Sequence, residues 1–136
     1  MTAKEKQTQL AKYRLKQAVE SIDEAKCLFS CKKSPRSVIN RLYYSMFYAV
    51  LALLVFEPFS YSKHSGVLAY FNKRFIKEGI LPKELGRSIN RAFDLRQEGD
   101  CRECVELSYE QVEPFMEEAA NFIRKVEAYM GGEYFS

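Results

Sequence analysis

Residues 40–56 read Asn-Arg-Leu-Tyr-Tyr-Ser-Met-Phe-Tyr-Ala-Val-Leu-Ala-Leu-Leu-Val-Phe, and this stretch decides the fold. From Leu42 to Phe56 the fifteen residues are interrupted only by Ser45 and by the hydroxyls of Tyr43, Tyr44 and Tyr48. A segment that is apolar nearly all round must be covered on every side, so it reads as the buried central helix of a bundle. It falls short of the ~20 residues that a bilayer span needs. Just upstream, Ser34-Pro35 is a start signal, with Ser as N-cap and Pro at the first helical position. Glu57-Pro58 stops the helix near Phe56.

Outward from that centre, the flanking segments are amphipathic. Ala11, Leu15, Ala18, Ile22, Ala25 and Phe29 recur at alternating steps of four and three, one stripe down a helix expected from Ala3 to Cys31. A third helix is expected from His64 to Glu78, with Val67, Leu68, Phe71 and Phe75 inward and Gly79 as C-terminal cap. Pro82 opens a fourth, striped by Leu85, Ile89 and Ala92 with Phe93 alongside, and Gly99-Asp100 is its weak point. The last long segment starts at Ser108, which with Gln111 has the spacing of a capping box. Its stripe is Val112, Met116, Ala119, Ile123, Val126 and Met130, and Pro114 should bend it or shift its start.

Short connections between such helices predict an all-α fold, an antiparallel up-and-down bundle of four to five helices. A chain of 136 residues, 47% apolar and 29% charged, fits a single domain over 1–136. Six Gly and four Pro are too few for an all-β fold's turns, and a net charge of +3 is too small to argue nucleic-acid binding alone. The opening MTAKEKQTQL lacks the apolar core of a signal peptide, so the four cysteines read as reduced thiols and the expected compartment is the cytoplasm, with no membrane. Cys27 and Cys31 lie four apart, and Cys101 with Cys104 forms a C-x-x-C, spacings that suit zinc. In an up-and-down bundle the pairs fall at opposite ends, about 30 Å apart, which excludes one shared ion. No metal and no cofactor is expected.

Polar residues where the period calls for apolar ones carry the functional signal. Arg96 continues the inward series Leu85, Ile89, Ala92, and Asp100 follows one turn on, where the two could pair. Spacing alone favours a plainer role, Arg96 reaching from the bundle end to cap carbonyls. Asn40 and Arg41 open the central helix and share its faces with Tyr43, Tyr44, Phe47 and Tyr48, a surface that suits a base or phosphate, a second subunit, or ordinary core. His64, the one histidine, sits at a helix start, where a cap is the commoner role than a general base. Lys83, Arg87 and Arg91, with Lys73, Arg74 and Lys77, form a basic stripe that could meet phosphates and is more simply a solvated face.

The run Asn40-Arg41-Leu42-Tyr43-Tyr44-Ser45-Met46-Phe47 resembles the signature helix of HEPN domains. His64-Ser65-Gly66-Val67, then Phe71, Phe75, Ile76-Lys77 and Gly79, then Leu95-Arg96 with Asp100, and finally Ala119 with Phe122-Ile123, follow in the family's order across about residues 8 to 128. The resemblance implies a bundle that forms a homodimer, commonly beside a minimal nucleotidyltransferase protein, and in many such pairs an RNase toxin with its antitoxin. It also implies a polar cleft for nucleotide or RNA built from Asn40, Arg41, Tyr44, His64 and Arg96, with Arg96 and Asp100 in the catalytic positions.

Active family members carry an Arg followed shortly by a His, joined across the dimer. Here Arg96 is followed by Gln97, Glu98, Gly99, Asp100 and Cys101, and no His appears; the subgroup most like this chain ends its motif Asp-Tyr, where Cys101 stands. The unmatched role would fall to Asp100 or to His64. Three expectations therefore stand side by side: a nucleotidyltransferase partner with a nucleotide- or RNA-binding cleft, a divergent metal-independent RNase, and a non-catalytic dimerisation module.

Overall fold

The computed structural model describes residues 1–60, 63–100 and 106–135, and of Asp100 the backbone only. Among them every regular element is helical, as the sequence predicts. Helix α1 spans Ala3–Ser30, its N-cap Thr2 accepting from the Glu5 N–H at 3.1 Å, and its expected stripe is buried from Ala11 through Ala25. Helix α2 spans Pro35–Leu54, with the Ser34 hydroxyl accepting from the Ser37 N–H and Pro35 at the first turn. It is long and apolar enough to cross a bilayer by length and composition, but 67% of its most apolar window is buried inside the bundle.

Helix α3 spans His64–Phe71 and widens into a π-helical turn over Asn72–Lys77, closed by Gly79 at φ +78°. Asn72 holds this turn, donating to the Leu68 carbonyl at 2.8 Å and to Asn90 Oδ1 at 3.2 Å. Gly86 is glycine for the same reason, since a Cβ there would come within 2.7 Å of Asn72 Oδ1. Helix α4, Lys83–Asp100, runs through Gly99 rather than breaking there. The capping box of Ser108 and Gln111 starts the short helix α5, Tyr109–Val112, and Pro114 restarts the chain as α6, Pro114–Glu133. The restart rotates the first turn inward at Phe115, which is buried, and leaves Met116 half-exposed.

Helices α1, α2, α4 and α6 alternate in direction around one hydrophobic cluster with α2 at its centre, touching α1, α4 and α6. Helix α3 does not alternate: it runs beside α2 in the same sense. Its first residue, His64, meets Tyr43, whereas Tyr70 and Arg74 both reach Glu57 beyond the far end of α2, at 2.9 and 3.1 Å. The chain therefore climbs back along α2 before α3 begins, and α4 ends where α2 starts.

The expectation that the first and fourth helices finish at opposite ends of the bundle fails for this reason. A Cβ on Gly99 would lie 3.3 Å from Arg36 Cγ, and Tyr109 donates to the Lys33 carbonyl at 2.6 Å, so the ends of α1 and α4 share one end of the bundle. Cys27 and Cys31 are exposed thiols; Cys101 and Cys104 lie outside the described residues.

Candidate functional site

The site is built on the first half of α2. Successive turns of that helix carry Asn40, Arg41, Tyr43, Tyr44, Phe47 and Tyr48 outward from the core in a fan, with Tyr43 and Phe47 buried and Tyr44 and Tyr48 half-buried. Tyr44 touches the rings of Tyr43, Phe47 and Tyr48 at centroid separations of 5.3, 6.1 and 5.9 Å. An aromatic platform of this kind offers negative ring faces to a cation.

Arg96 supplies the cation from α4. Its guanidinium carbon stands 5.3 Å over the Tyr43 ring and 5.1 Å over the Tyr44 ring, and Nη2 donates to the Tyr44 hydroxyl at 3.4 Å. It therefore faces inward and does not act as a carbonyl cap. Its Nε is buried and has no hydrogen-bond partner among the described residues. A buried donor left unpaired costs about 1–3 kcal/mol, so an acceptor delivered by a ligand would be favoured here. The pairing expected between Arg96 and Asp100 falls on a side chain outside the described residues.

Arg41 also stands over Tyr44, its guanidinium carbon 5.3 Å from the ring centre. Asn40 Oδ1 accepts from Arg41 Nε and Nη2 at 3.4 and 3.1 Å, and Glu24 of α1 lies 3.7 Å from Nη1. Tyr44 thus meets two guanidinium groups, and four of the expected residues, Asn40, Arg41, Tyr44 and Arg96, form one constellation.

His64 joins them. It does not cap α3; its ring stacks on Phe47 at 4.1 Å and 21° and lies 5.9 and 5.7 Å from the rings of Tyr43 and Tyr44. Its Nδ1 is 3.1 Å from the Tyr43 hydroxyl. Burial first, and then the positive charge of Arg96, push its pKa below the ordinary histidine value. The imidazole is accordingly neutral near pH 7. An NMR titration of the His64 ring should show a midpoint below about 6.5, and Arg96→Met should move it part of the way back, because burial remains. With the folded-state pKa depressed, His64 leaves stability undiminished above that pH and subtracts from it as the pH falls through the titration range.

On the far side of His64 a groove of about 420 Å³ opens between α1 and α2, lined among others by Arg14, Tyr44, Tyr48 and Phe59. Sequence reasoning missed Arg14 and the seat that Phe47 makes for His64. Leu10, Arg14 and Gln17 flank the stripe of α1 at steps of four and three, which is the signal that marks Arg14 as facing a neighbour. The basic stripe divides: Arg74 and Arg91 pair with Glu57 and Glu118, whereas Lys73, Lys77, Lys83 and Arg87 are exposed.

Such an arrangement defines a small helical-bundle protein with a cationic, tyrosine-lined cleft on its central helix. The HEPN domain model matches residues 11–129, and the chain belongs to that family. It is 42% identical to a "UPF0332 protein" of Thermotoga maritima over 93% of both chains. Two proteins of Methanocaldococcus jannaschii are also similar: "Putative toxin MJ0142" is 40% identical over 68% of this chain and 63% of its own length, and "Putative toxin MJ0605" is 32% identical over 83% and 78%.

Proposed function

We propose that this chain is the HEPN subunit of a cytoplasmic toxin–antitoxin or nucleotide-sensing module, a homodimer that works with a minimal nucleotidyltransferase and holds RNA or nucleotide phosphate at Arg96. The toxin names of two relatives support the module. The observation that carries the binding is a guanidinium laid over two tyrosine rings, its buried Nε without a partner among the described residues. Arg41 brings a second cation to the same platform. Base or ribose groups would stack on Tyr44 and Tyr48, since aromatic faces accept any base.

Co-expression with a nucleotidyltransferase encoded beside it is the test. The pair should co-purify, and RNA should be retained by the isolated chain in a salt-dependent way. A chain that stays monomeric, ignores such a neighbour and retains no RNA at low salt would refute the proposal.

A further inference from the structure

Away from the tyrosine cleft, a depression of about 430 Å³ opens where the π-helical turn meets the first turns of α4. Gly86, which is buried, lets the two elements approach this closely. A Cβ there would come within 3.3 Å of two Ile76 carbons and 2.7 Å of Asn72 Oδ1. Residues of both elements therefore line one hollow, Lys77 and Asn72 from the π-turn and Lys83, Arg87 and Asn90 from α4. Arg96 lies about two and a half turns beyond Arg87, which carries it to the opposite face of α4. The depression and the cleft are separate places.

Lys77, Lys83 and Arg87 bring three exposed cations to this hollow, and none has an ion-pair partner among the described residues. Nearby carboxylates are already taken, Glu57 and Glu78 by Arg74 and Glu118 by Arg91. Glu84 borders the neighbouring groove toward α6, which Arg87 also reaches. The amides are set in the same sense. Asn72 spends both amide hydrogens, one on the Leu68 carbonyl and one on Asn90 Oδ1. Asn90 Nδ2 is thereby left to donate, and it has no acceptor among the described residues. Asn72 Oδ1 is turned toward Gly86. The rim presents hydrogen-bond donors and positive charge.

We propose that this depression binds a dianionic phosphate group, either the free ion or the terminal phosphate of a small phosphorylated metabolite. Ammonium and guanidinium groups make short, charge-assisted hydrogen bonds to phosphate oxygens, and Arg87 brings a planar fork suited to two of them. Three cations around one hollow match a double negative charge better than the single charge of a phosphodiester. No aromatic ring lines the depression among the described residues, so a nucleobase has nothing there to stack on. The stacking surface that single-stranded nucleic acid uses is the Tyr44–Tyr48 pair of the cleft, on the other side of α4. The assignment does not depend on what the cleft holds.

The experiment is a residue-resolved NMR titration of the full chain at constant ionic strength, with inorganic phosphate, glycerol 3-phosphate and a single-stranded RNA in separate arms. The backbone signals of Gly86 and Arg87 and the side-chain amide of Asn90 should move together and saturate, with a dissociation constant of about 1 mM or tighter. Lys77→Gln and Arg87→Gln, both at exposed positions, should each weaken binding about tenfold, the effect of one lost charge-assisted contact. Arg96→Met, in the cleft, and Lys125→Gln, an exposed change on α6, should leave it unchanged. A response to inorganic phosphate alone supports the site with the free ion as its ligand; a response to the ester, with or without the free ion, supports it with a phosphorylated metabolite. Shifts that never saturate in either arm, an Arg87→Gln protein that binds as tightly as the wild type, or a response to RNA alone would each overturn the assignment.

Discussion

Truncating Phe122 to Ala is expected to cost about 3–5 kcal/mol of stability, the range for removing a buried aromatic side chain and leaving a cavity. Phe122 is completely buried on α6, and its ring meets Phe71 of α3 at 5.6 Å, so the loss is felt by two elements at once. Small domains are stable by only about 5–15 kcal/mol, so the variant should sit close to its unfolding transition at ordinary temperatures. Urea unfolding measures it: the midpoint should fall sharply with the slope unchanged. Tyr13, 54% exposed on α1, is the matched control, and its replacement by Ala should stay within about 0.5 kcal/mol. A Phe122 variant as stable as the control would mean that α3 and α6 do not pack as described.

The second large effect separates function from stability at Arg96. Replacement by Met keeps a long flexible side chain that can lie against Tyr43 and Tyr44 through its sulfur. It removes a buried donor that has no partner among the described residues, worth about 1–3 kcal/mol, and forfeits cation–ring attraction of about 0.5–2 kcal/mol. These terms nearly cancel, so the unfolding midpoint should be unchanged or slightly raised. RNA retention should nevertheless drop at least about tenfold, the effect of roughly 1.4 kcal/mol at a charge-assisted contact. A variant that loses stability and keeps RNA binding would assign Arg96 to the architecture alone.

The bundle was legible in the sequence because its physics is local. The stripes of α1 and α4, the all-round apolar character of α2, the Ser34 cap and the Ser108–Gln111 box each act within a few residues, and each appears where the pattern put it. The direction of α3 was not legible. Alternation is the default for short connections, and no composition signal marks the return of the chain along α2 before His64.

The candidate site divides along the same line. Arg96 stood out as a cation in an apolar series, and Arg41 with Tyr44 as neighbours on one helical face. His64 could not be placed, because its nearest hydrogen-bonding partner, Tyr43, is 21 residues away, and only the parallel course of α3 brings the two together. The ends of α1 and α4, expected at opposite ends of the bundle, come together for that same reason.

The parallel course of α3 also ties the imidazole to the core of the bundle. Val67, Leu68, Phe71 and Phe75 bury that segment in the same cluster as α1, α2, α4 and α6, and Tyr70 and Arg74 grip Glu57 beyond the far end of α2. A substitution that loosened Phe71 or Glu57 would therefore be felt at the histidine's seat, although neither residue lines the cleft.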